Sequence, residues 1–283
     1  MGRLRRIDAE LVRRGLAASR DDAKRLIESG RVRLDGAAVT KPARQVDPAQ
    51  AIVVDDADLD HYASRGAYKL AGVLDLLGDR APRIEGRRII DAGASTGGFT
   101  DVLLRRGAAE VLAIDVGYGL LAWRLREDPR VTVMERMNVR ELKPEDVAPA
   151  PDMAVGDLSF ISLTLILPAL VAACRQDADF LLMVKPQFEI GKDRLGHGGV
   201  VRNLDHHVET VLKVADCAIG LGLDVAAVAA SPLPGPAGNV EYFLSMRHDH
   251  PDPVRDLPEA VHSAVMNGPA PGLFGRVSPK EGR

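Results

Sequence analysis

Cysteines, aromatic residues and long apolar runs are all scarce in this chain of 283 residues. The two cysteines, Cys174 and Cys217, are too few for a disulfide framework and lack metal-ligand spacing, so we expect both to pack as small apolar side chains. No stretch reaches the roughly 20 consecutive apolar residues of a membrane-spanning helix, and no secretion signal follows the first residues. We therefore expect a cytoplasmic protein without a membrane partner. Aromatic residues make up only 4% of the chain, which argues against extensive base stacking.

The charge is distributed unevenly along the chain. The formal net charge is −3, yet residues 1–44 contain twelve Lys and Arg and six acidic residues, so that segment carries +6 and the remainder −9. A basic N-terminal segment followed by an acidic remainder is typical of a nucleic-acid-binding domain joined to a domain with a different function. A solvated charged surface gives the same composition, so charge alone leaves both interpretations open.

Residues 1–60 have the pattern of a small α+β domain. Apolar residues at helical spacing predict two short helices, the second of which begins at an N-cap, Ser19. The segment RVRLDGAAV alternates around Asp35-Gly36, a hairpin turn signal, and AIVV at 51–54 predicts a further strand. The acidic segment DDADLD at 55–60 is interpreted as a linker.

From about residue 64 to 247, apolar strand-like runs alternate with helical patterns. The strand-like runs read RRIIDAG, EVLAIDVG, VTVME, DMAVGDL, DFLLMVK, LDVAAVAA and VEYFLSM. This alternation predicts an α/β fold with a doubly wound, mostly parallel sheet of the Rossmann-like kind. Only SPLPGPAGN joins the last two runs, which is too short for a helical crossover, so we expect an antiparallel pair at the sheet edge. For residues 248–283 we expect a partly disordered tail with one weak helix, PEAVHSAV.

A glycine-rich loop, DAGASTGGF, follows the first of these strands. Its glycines allow the backbone to turn sharply into a helix and to approach a ligand, and its spacing is neither that of a dinucleotide site nor that of a phosphate loop. Asp115 ends the next strand, where an acid can accept both ribose hydroxyls of an adenosine-containing cofactor. The combination favours S-adenosylmethionine over NAD, and the alternative is an ordinary tight turn. The candidate residues of the loop are Asp91, Gly93, Ala94, Ser95, Thr96, Gly97, Gly98 and Phe99.

Asn138 is a further candidate for the cofactor site. It follows the third strand, where its amide could contact an adenine edge. Asparagine after a strand is also common turn chemistry, so this signal is weak.

Four ionisable residues lie at separate strand or helix ends. Asp157 and Lys185 each follow a buried strand, and ligands of an open α/β sheet bind outside the carboxyl ends of the strands. Lys69 precedes the first strand and Glu241 lies in GPAGNVEYF. A lysine that emerges from an apolar strand needs carboxylates nearby, so we expect Asp157 and Lys185 to share one crevice. The alternative is that each of the four is a separate surface charge.

The first unit resembles the alpha-L RNA-binding fold found in ribosomal protein S4 and in pseudouridine synthases. The resemblance rests on RIDAELVRRGLAASRDDAKRLIESGRVRLDGAAV, with its order helix, Ser-Arg, helix and Gly-x-Val-x-Leu-Asp-Gly. It implies that the second helix and the following turn face structured RNA. The implied phosphate contacts are Arg6, Arg14, Arg20, Lys24, Arg25 and Arg31.

Over residues 3–247 the chain resembles the hemolysin A (TlyA) family of ribosomal RNA ribose 2′-O-methyltransferases, which have an FtsJ/RrmJ-type catalytic domain. The motifs that carry the resemblance are SRGAYKL, DAGASTGGFTDVLL, DVGYG, DLSFISL, KPQFEIGK, GGVV and SPLPGPAGNVEYF. The resemblance implies a catalytic tetrad at Lys69, Asp157, Lys185 and Glu241, and a cofactor loop at 93–97 with Asp115 as the ribose acid. It implies S-adenosylmethionine as cofactor and ribosomal RNA or ribosomal subunits as partner, with a cytidine as target.

Three other function classes remain in view. A non-catalytic RNA-binding or ribosome-assembly protein would not need the tetrad. A membrane-lytic hemolysin would need a signal, a span or a strongly amphipathic basic helix. A base methyltransferase acting at carbon would favour a cysteine in a strand-end motif, and neither cysteine lies in one. The histidines have no metal-ligand spacing, so we expect no metal site, and no protein partner is evident.

Overall fold

The computed structural model describes residues 4–14, 16–17, 19–47, 50–54, 62–235 and 237–274. The chain divides into two compact units, residues 1–61 and 62–283. The interpreted linker at 55–60 and the last nine residues of the expected tail, 275–283, lie outside the described residues.

The first unit packs two helices on short strands. Its core consists of apolar side chains such as Ile7, Leu11, Ile27 and Val32, all at most 1% exposed. Its elements are β1 (Arg5–Arg6), α1 (Ile7–Arg13), α2 (Arg20–Glu28), β2 (Val32–Leu34), β3 (Ala37–Ala38), β4 (Gln45–Val46) and β5 (Ile52–Val54).

Local sequence signals account for two features of the first unit. The Ser19 side chain accepts a hydrogen bond from the Asp22 backbone N–H at 3.1 Å, which satisfies one of the open donors at the start of α2. The turn between β2 and β3 places Asp35 and Gly36 at positive φ, and the two strands pair antiparallel. Both features match the predicted cap and hairpin.

The second unit alternates strands and helices as the sequence pattern predicts. Its elements are α3 (Gly66–Leu77), β6 (Arg88–Ala92), α4 (Gly98–Arg105), β7 (Glu110–Asp115), α5 (Trp123–Arg126), β8 (Val131–Glu135), β9 (Met153–Gly156), α6 (Leu167–Ala173), β10 (Asp179–Val184), α7 (Pro186–Glu189), α8 (Leu204–Gly220), β11 (Leu223–Ala230), β12 (Tyr242–His248), α9 (Leu257–Asn267) and α10 (Ala270–Phe274). Short 3₁₀ turns lie at Gly78–Arg80, Val139–Glu141, Pro144–Val147, Leu163–Leu165, Lys192–Arg194 and His197–Gly199.

The seven strands of this unit form one sheet in the order β11-β12-β10-β9-β6-β7-β8. β6 pairs in parallel with β7 and β9, while β12 runs antiparallel to both β10 and β11. The expected antiparallel pair is therefore confirmed, although its reversed member, β12, lies inside the sheet and β11 forms the edge. Because β12 is reversed, its first residues lie at the same end of the sheet as the carboxyl ends of the parallel strands.

The segment after β12 has more structure than its proline-rich sequence predicts. The expected weak helix is α9, which begins at an Asp256 cap and buries Val261 and Val265. A second short helix, α10, follows and buries Ala270. The backbone N–H of Val254 donates to Val225 O of β11 at 2.8 Å, so this segment partly covers the edge strand. Apolar side chains at helical spacing outweigh the prolines here, since the prolines fall at or outside the helix ends.

The remaining sequence expectations concern cysteines and membranes. Cys174 is buried in the core, and burial raises the pKa of its thiol to about 12. Within the described part of the chain, no helix is both long enough and apolar enough to cross a bilayer.

Candidate functional site

The glycine-rich loop joins β6 to α4 and depends on unusual backbone geometry. Gly93 and Gly97 have φ of +83° and +95°, values that side-chain-bearing residues rarely adopt. A Cβ atom on Gly93 would lie 3.3 Å from Asp157 O, and one on Gly98 would lie 2.3 Å from Ser64 Oγ. The loop is therefore packed tightly against the segments that precede α3 and follow β9.

Asp115, at the end of β7, holds this loop from the adjacent strand. Its Oδ2 accepts the Ser95 backbone N–H at 2.8 Å, and its Oδ1 accepts the Gly117 backbone N–H at 2.7 Å. The two bonds orient the carboxylate beside the tip of the glycine loop. Asp115 therefore lies beside the loop, and its assignment to ribose hydroxyls stays a prediction.

Asp91 lies at the end of β6 and is fully buried. Its Oδ2 accepts the Thr100 hydroxyl at 2.6 Å and the Thr100 backbone N–H at 2.9 Å, whereas its Oδ1 is buried without a partner among the described residues. Burial raises the pKa of Asp91 to about 7, and the Thr100 hydrogen bonds oppose the rise. A buried carboxylate oxygen without a donor is costly unless a ligand supplies one.

A cavity of about 1240 Å³ opens beside the glycine loop. Gly93, Ala94, Ser95, Thr96, Gly98 and Phe99 line it, whereas Asp91, Gly97, Asp115 and Asn138 lie outside its lining. Asn138 instead caps a 3₁₀ turn, since its side chain accepts the Arg140 backbone N–H at 3.1 Å. The structure thus gives Asn138 the turn role that sequence reasoning left open.

All four residues of the expected tetrad line this cavity. They come from different elements: Lys69 from the first turn of α3, Asp157 from the end of β9, Lys185 from the end of β10 and Glu241 from the residue before β12. The topology of the sheet brings these four element ends to one edge. They meet there as two lysine–carboxylate pairs.

The first pair is deeply buried. Lys69 Nζ donates to Glu241 Oε2 at 2.5 Å, and the two residues are only 6% and 2% exposed. Gln187 Nε2 donates to the other oxygen, Glu241 Oε1, at 3.4 Å. A Cβ on Gly235 would lie 3.1 Å from the same oxygen, so the turn before β12 closes over the carboxylate. Mutual neutralisation makes this burial possible.

The second pair is open to the cavity on its carboxylate side. Lys185 Nζ lies 2.5 Å from Asp157 Oδ1, and the lysine side chain is 8% exposed whereas the aspartate is 21% exposed. The contact is an ion pair and not an aligned hydrogen bond, and Asp157 Oδ1 has no hydrogen-bonding partner among the residues that the structure describes. Lys185 Nζ does donate to Ser159 Oγ at 2.9 Å. Sequence reasoning missed Ser159 and Gln187, although both lie inside the motifs DLSF and KPQF.

An exposed aromatic side chain marks the mouth of the cavity. Phe160 is 91% exposed and has φ of +63°, which is rare for a bulky residue. Its ring lies 5.1 Å from the Phe188 ring, and Phe188 in turn lies 5.9 Å from Lys185 Nζ. The chain therefore presents an apolar ring to solvent next to the second pair.

Three exposed cations also line the cavity and were missed by the sequence reasoning: Arg65, Arg140 and Lys192. None of them forms an ion pair with a described residue. Each is a single cation among residues that were interpreted for other roles, so no pattern in the sequence marked it as a site residue. Together they make the mouth of the cavity electropositive.

The expected RNA contacts of the first unit fall into two groups. Arg6 makes a bidentate contact with Asp8, and Arg14 donates to buried Glu10 at 2.8 Å and to Gln50 O at 2.9 Å. Arg14 therefore connects α1 to the segment before β5, whereas the Arg6–Asp8 contact is local and leaves the Arg6 side chain 49% exposed. Arg20, Lys24 and Arg25 are exposed on α2, and Arg31 is half-buried just after it.

Comparison with known proteins agrees with this architecture. A family model described as FtsJ-like methyltransferase matches residues 62–248, and the S4 domain model matches residues 5–52. A Mycobacterium tuberculosis protein, 16S/23S rRNA (cytidine-2′-O)-methyltransferase TlyA, is 53% identical over 95% of this chain and 100% of its own length. The chain belongs to the TlyA family of FtsJ-like methyltransferases. Hemolysin A of Brachyspira hyodysenteriae is also similar to this TlyA family member, at 34% identity over 84% of this chain and 98% of its own length.

A solved structure supports the fold of this TlyA family member across both units. A Streptococcus thermophilus protein, provisionally named as a hemolysin, is 36% identical and covers 96% of this chain and 97% of its own. The TM-score is 0.70. The S4 match and the methyltransferase fold are therefore both properties of this chain, as the sequence predicts.

Proposed function

We propose that this protein transfers a methyl group from S-adenosylmethionine to the 2′-hydroxyl of a cytidine ribose in ribosomal RNA. The observation that carries the proposal is the convergence of two lysine–carboxylate pairs on one cavity beside the glycine loop. A ribose hydroxyl is a poor nucleophile, so an enzyme that methylates it must position the hydroxyl and compensate the charge on its oxygen. The name of the Mycobacterium tuberculosis relative agrees with this reaction.

The residues around the glycine loop suit S-adenosylmethionine. The orphaned Asp91 Oδ1 offers an acceptor for a cationic donor, and the Asp115 carboxylate offers acceptors for two hydroxyl groups. The loop reads DAGASTGGF and lacks the G-x-G-x-x-G spacing with which a dinucleotide site brings backbone N–H groups to a pyrophosphate, which disfavours a dinucleotide. S-adenosylmethionine supplies an electrophilic methyl group on a positively charged sulfur.

The two pairs have different tasks in this reaction. Lys185, which faces the cavity, stabilises the negative charge that develops on the 2′-oxygen, and the Lys185–Asp157 pair accepts the proton. Ser159 and Asp157 fix the lysine ammonium in place. Glu241 holds the second lysine, Lys69, on the lining of the same cavity.

Charge on both units supports an RNA substrate. The exposed cations of α2 and the cavity cations Arg65, Arg140 and Lys192 offer contacts to phosphates. Such contacts position a nucleic acid without reading its bases, so they are compatible with either free ribosomal RNA or an assembled subunit. An enzyme with such a substrate works in the cytoplasm, where ribosomes are made.

The test is methyl transfer from labelled S-adenosylmethionine to unmodified ribosomal RNA and to isolated subunits. We expect label in nucleotides whose 3′ linkage resists alkali, because a methylated 2′-oxygen cannot attack the adjacent phosphate. Digestion to nucleosides should identify 2′-O-methylcytidine. Label on a base instead would replace the ribose reaction with base methylation.

Three measurements separate this function from the alternatives. Lys185→Ala should abolish transfer while RNA and cofactor binding persist. If wild-type protein binds ribosomal RNA but transfers no methyl group to any RNA form, the RNA-binding assembly protein becomes the better interpretation. Release of dye from lipid vesicles by the wild-type protein would favour the hemolysin.

A further inference from the structure

Glu189 is a buried carboxylate that connects two loops of the site without lining the cavity. It ends α7, one helical turn after Lys185, and its side chain is 1% exposed. Its Oε2 accepts the Ser162 hydroxyl at 2.5 Å, and its Oε1 accepts the Leu163 backbone N–H at 2.7 Å. Lys213 of α8 donates to the Glu189 backbone carbonyl at 2.9 Å and lies 3.6 Å from Oε2.

The two connected segments carry the open lysine–carboxylate pair. The loop after β9 holds Asp157, Ser159 and Phe160 and then enters the 3₁₀ turn at Leu163–Leu165. The segment after β10 holds Lys185 and Glu189. The loops therefore touch twice, through Lys185 at the cavity and through Glu189 behind it.

The loop after β9 needs such a fixed point. Phe160 adopts a left-handed backbone conformation that a bulky residue takes only when its surroundings impose it. Ser159 is also exposed, and the ring contact of Phe160 is to Phe188, which belongs to the same short helix as Glu189. Glu189 binds Ser162 and Leu163, two and three residues after Phe160, and a charged acceptor makes these hydrogen bonds strong.

We infer that Glu189 is a positioning residue for methyl transfer. Its hydrogen bonds hold the loop after β9 close enough to Lys185 for Asp157 and Ser159 to orient the lysine ammonium. They also maintain the exposed conformation of Phe160. Glu189 acts only through these residues, since it does not reach the cavity. The inference rests on the proposed function, because the pair it orients is the one assigned to the ribose hydroxyl.

The test compares Glu189→Ala and Glu189→Gln with the wild-type full chain. In single-turnover transfer at saturating cofactor and RNA, Glu189→Ala should lower the rate at least tenfold, and Glu189→Gln, which retains an acceptor oxygen, should lower it less. Cofactor affinity by calorimetry should stay within twofold, because Asp91 and Asp115, the acceptors assigned to the cofactor, lie on β6 and β7 and form their hydrogen bonds with Thr100, Ser95 and Gly117 rather than with the loop after β9. Amide hydrogen exchange should show faster exchange at Leu163 in both variants.

Asp179→Asn provides a matched control. Asp179 is 9% exposed and pairs with Arg87 at the opposite end of β10, so the variant loses a comparable ion pair far from the cavity. It should lower the melting temperature without changing the transfer rate. If it slows transfer as much as Glu189→Ala does, the effect is general destabilisation and the inference is wrong.

Two further outcomes would overturn the inference. One is a Glu189→Ala rate within twofold of wild type when Lys185→Ala is inactive, which leaves the proposed function intact. The other is amide exchange at Leu163 that is as slow in the variants as in the wild type. This measurement needs no substrate, so it tests whether Glu189 holds the loop even if the wild type is inactive on ribosomal RNA. If Glu189→Ala does not fold, Glu189→Gln and Ser162→Ala make the same comparison, and each should slow transfer.

Discussion

Lys185 Nζ and Asp157 Oδ1 lie 2.5 Å apart at the ends of two neighbouring parallel strands. The register explains the contact. Gly156 of β9 is paired with Leu182 of β10, and both strands end within a few residues of that pair. A lysine that emerges from six buried strand residues thus meets a carboxylate as soon as its side chain reaches the cavity.

The first prediction concerns this pair. Lys185→Ala should reduce single-turnover transfer by about 10²- to 10⁴-fold, the range expected for loss of a group that handles the proton. Asp157→Ala should also be severe, and the double variant should be little worse than the worse single variant, because residues that act as a unit are not additive. A Lys185→Ala rate within about threefold of wild type would contradict the role.

The second prediction concerns Asp115. Asp115→Ala removes the acceptor of the Ser95 and Gly117 backbone N–H groups as well as the carboxylate. Cofactor affinity should fall by about tenfold or more, since a hydrogen bond to a charged group contributes about 1.5–3 kcal/mol. Calorimetry with S-adenosylmethionine measures it. Asp115→Asn keeps one acceptor oxygen, so its cofactor affinity should lie between those of the wild type and Asp115→Ala. Equal affinity in all three proteins would rule out the ribose assignment.

The third prediction is a pH dependence from Asp91. Burial raises its pKa from 3.8 to about 7 in the folded state, so the folded state binds this proton more tightly than the unfolded state does. This contribution to stability is complete below about pH 4 and is lost as the pH rises through about 7. The free energy of unfolding of wild type should therefore fall relative to Asp91→Asn over that interval, by at most about 1.4 kcal/mol per pH unit. Parallel denaturant-unfolding profiles of the two proteins would show that Asp91 does not titrate there.

The fourth prediction separates two arginines of the first unit. Arg20→Ala should weaken binding to ribosomal RNA and lower the salt slope of log K by about one or less, as expected for one lost phosphate contact. Arg14→Ala should instead lower the stability of the unit, because it leaves buried Glu10 with one cation fewer. Filter binding over a series of salt concentrations and amide exchange of α1 measure the two effects. Similar salt slopes for Arg20→Ala and wild type would remove Arg20 from the RNA surface.

The sequence predicted which ionisable side chains lie at strand ends, because buried strands are recognised from local runs of apolar residues. Each apolar run that ended in Asp157 or Lys185 identified both the strand and the edge from which the side chain emerges. The direction of the last strand also followed from the sequence, since nine connecting residues cannot hold a crossover helix.

The sequence alone could not show which cation pairs with which carboxylate, because these contacts depend on distances in the folded protein. Lys69 and Glu241 are 172 positions apart, and no local signal assigns one to the other rather than to Asp157 or Lys185. Glu189 reads as a surface residue of a short helix until its burial is seen. Arg14 looked like an RNA contact for the same reason, because its partner Glu10 could be recognised as buried only from the packed unit.

The reversed strand β12 has a consequence for the order in which the enzyme is made. Glu241 precedes the last strand of the sheet, so during synthesis Lys69, Asp157 and Lys185 leave the ribosome well before the partner of Lys69 does. Until β12 pairs with β10, Lys69 has no carboxylate from Glu241, and β11, which is bonded to the sheet through β12, has no place at its edge. Pairing of β12 with β10 joins segments about 60 residues apart, and it cannot precede synthesis of β12. A nascent chain therefore cannot assemble the complete site before its catalytic domain has been translated almost to the end.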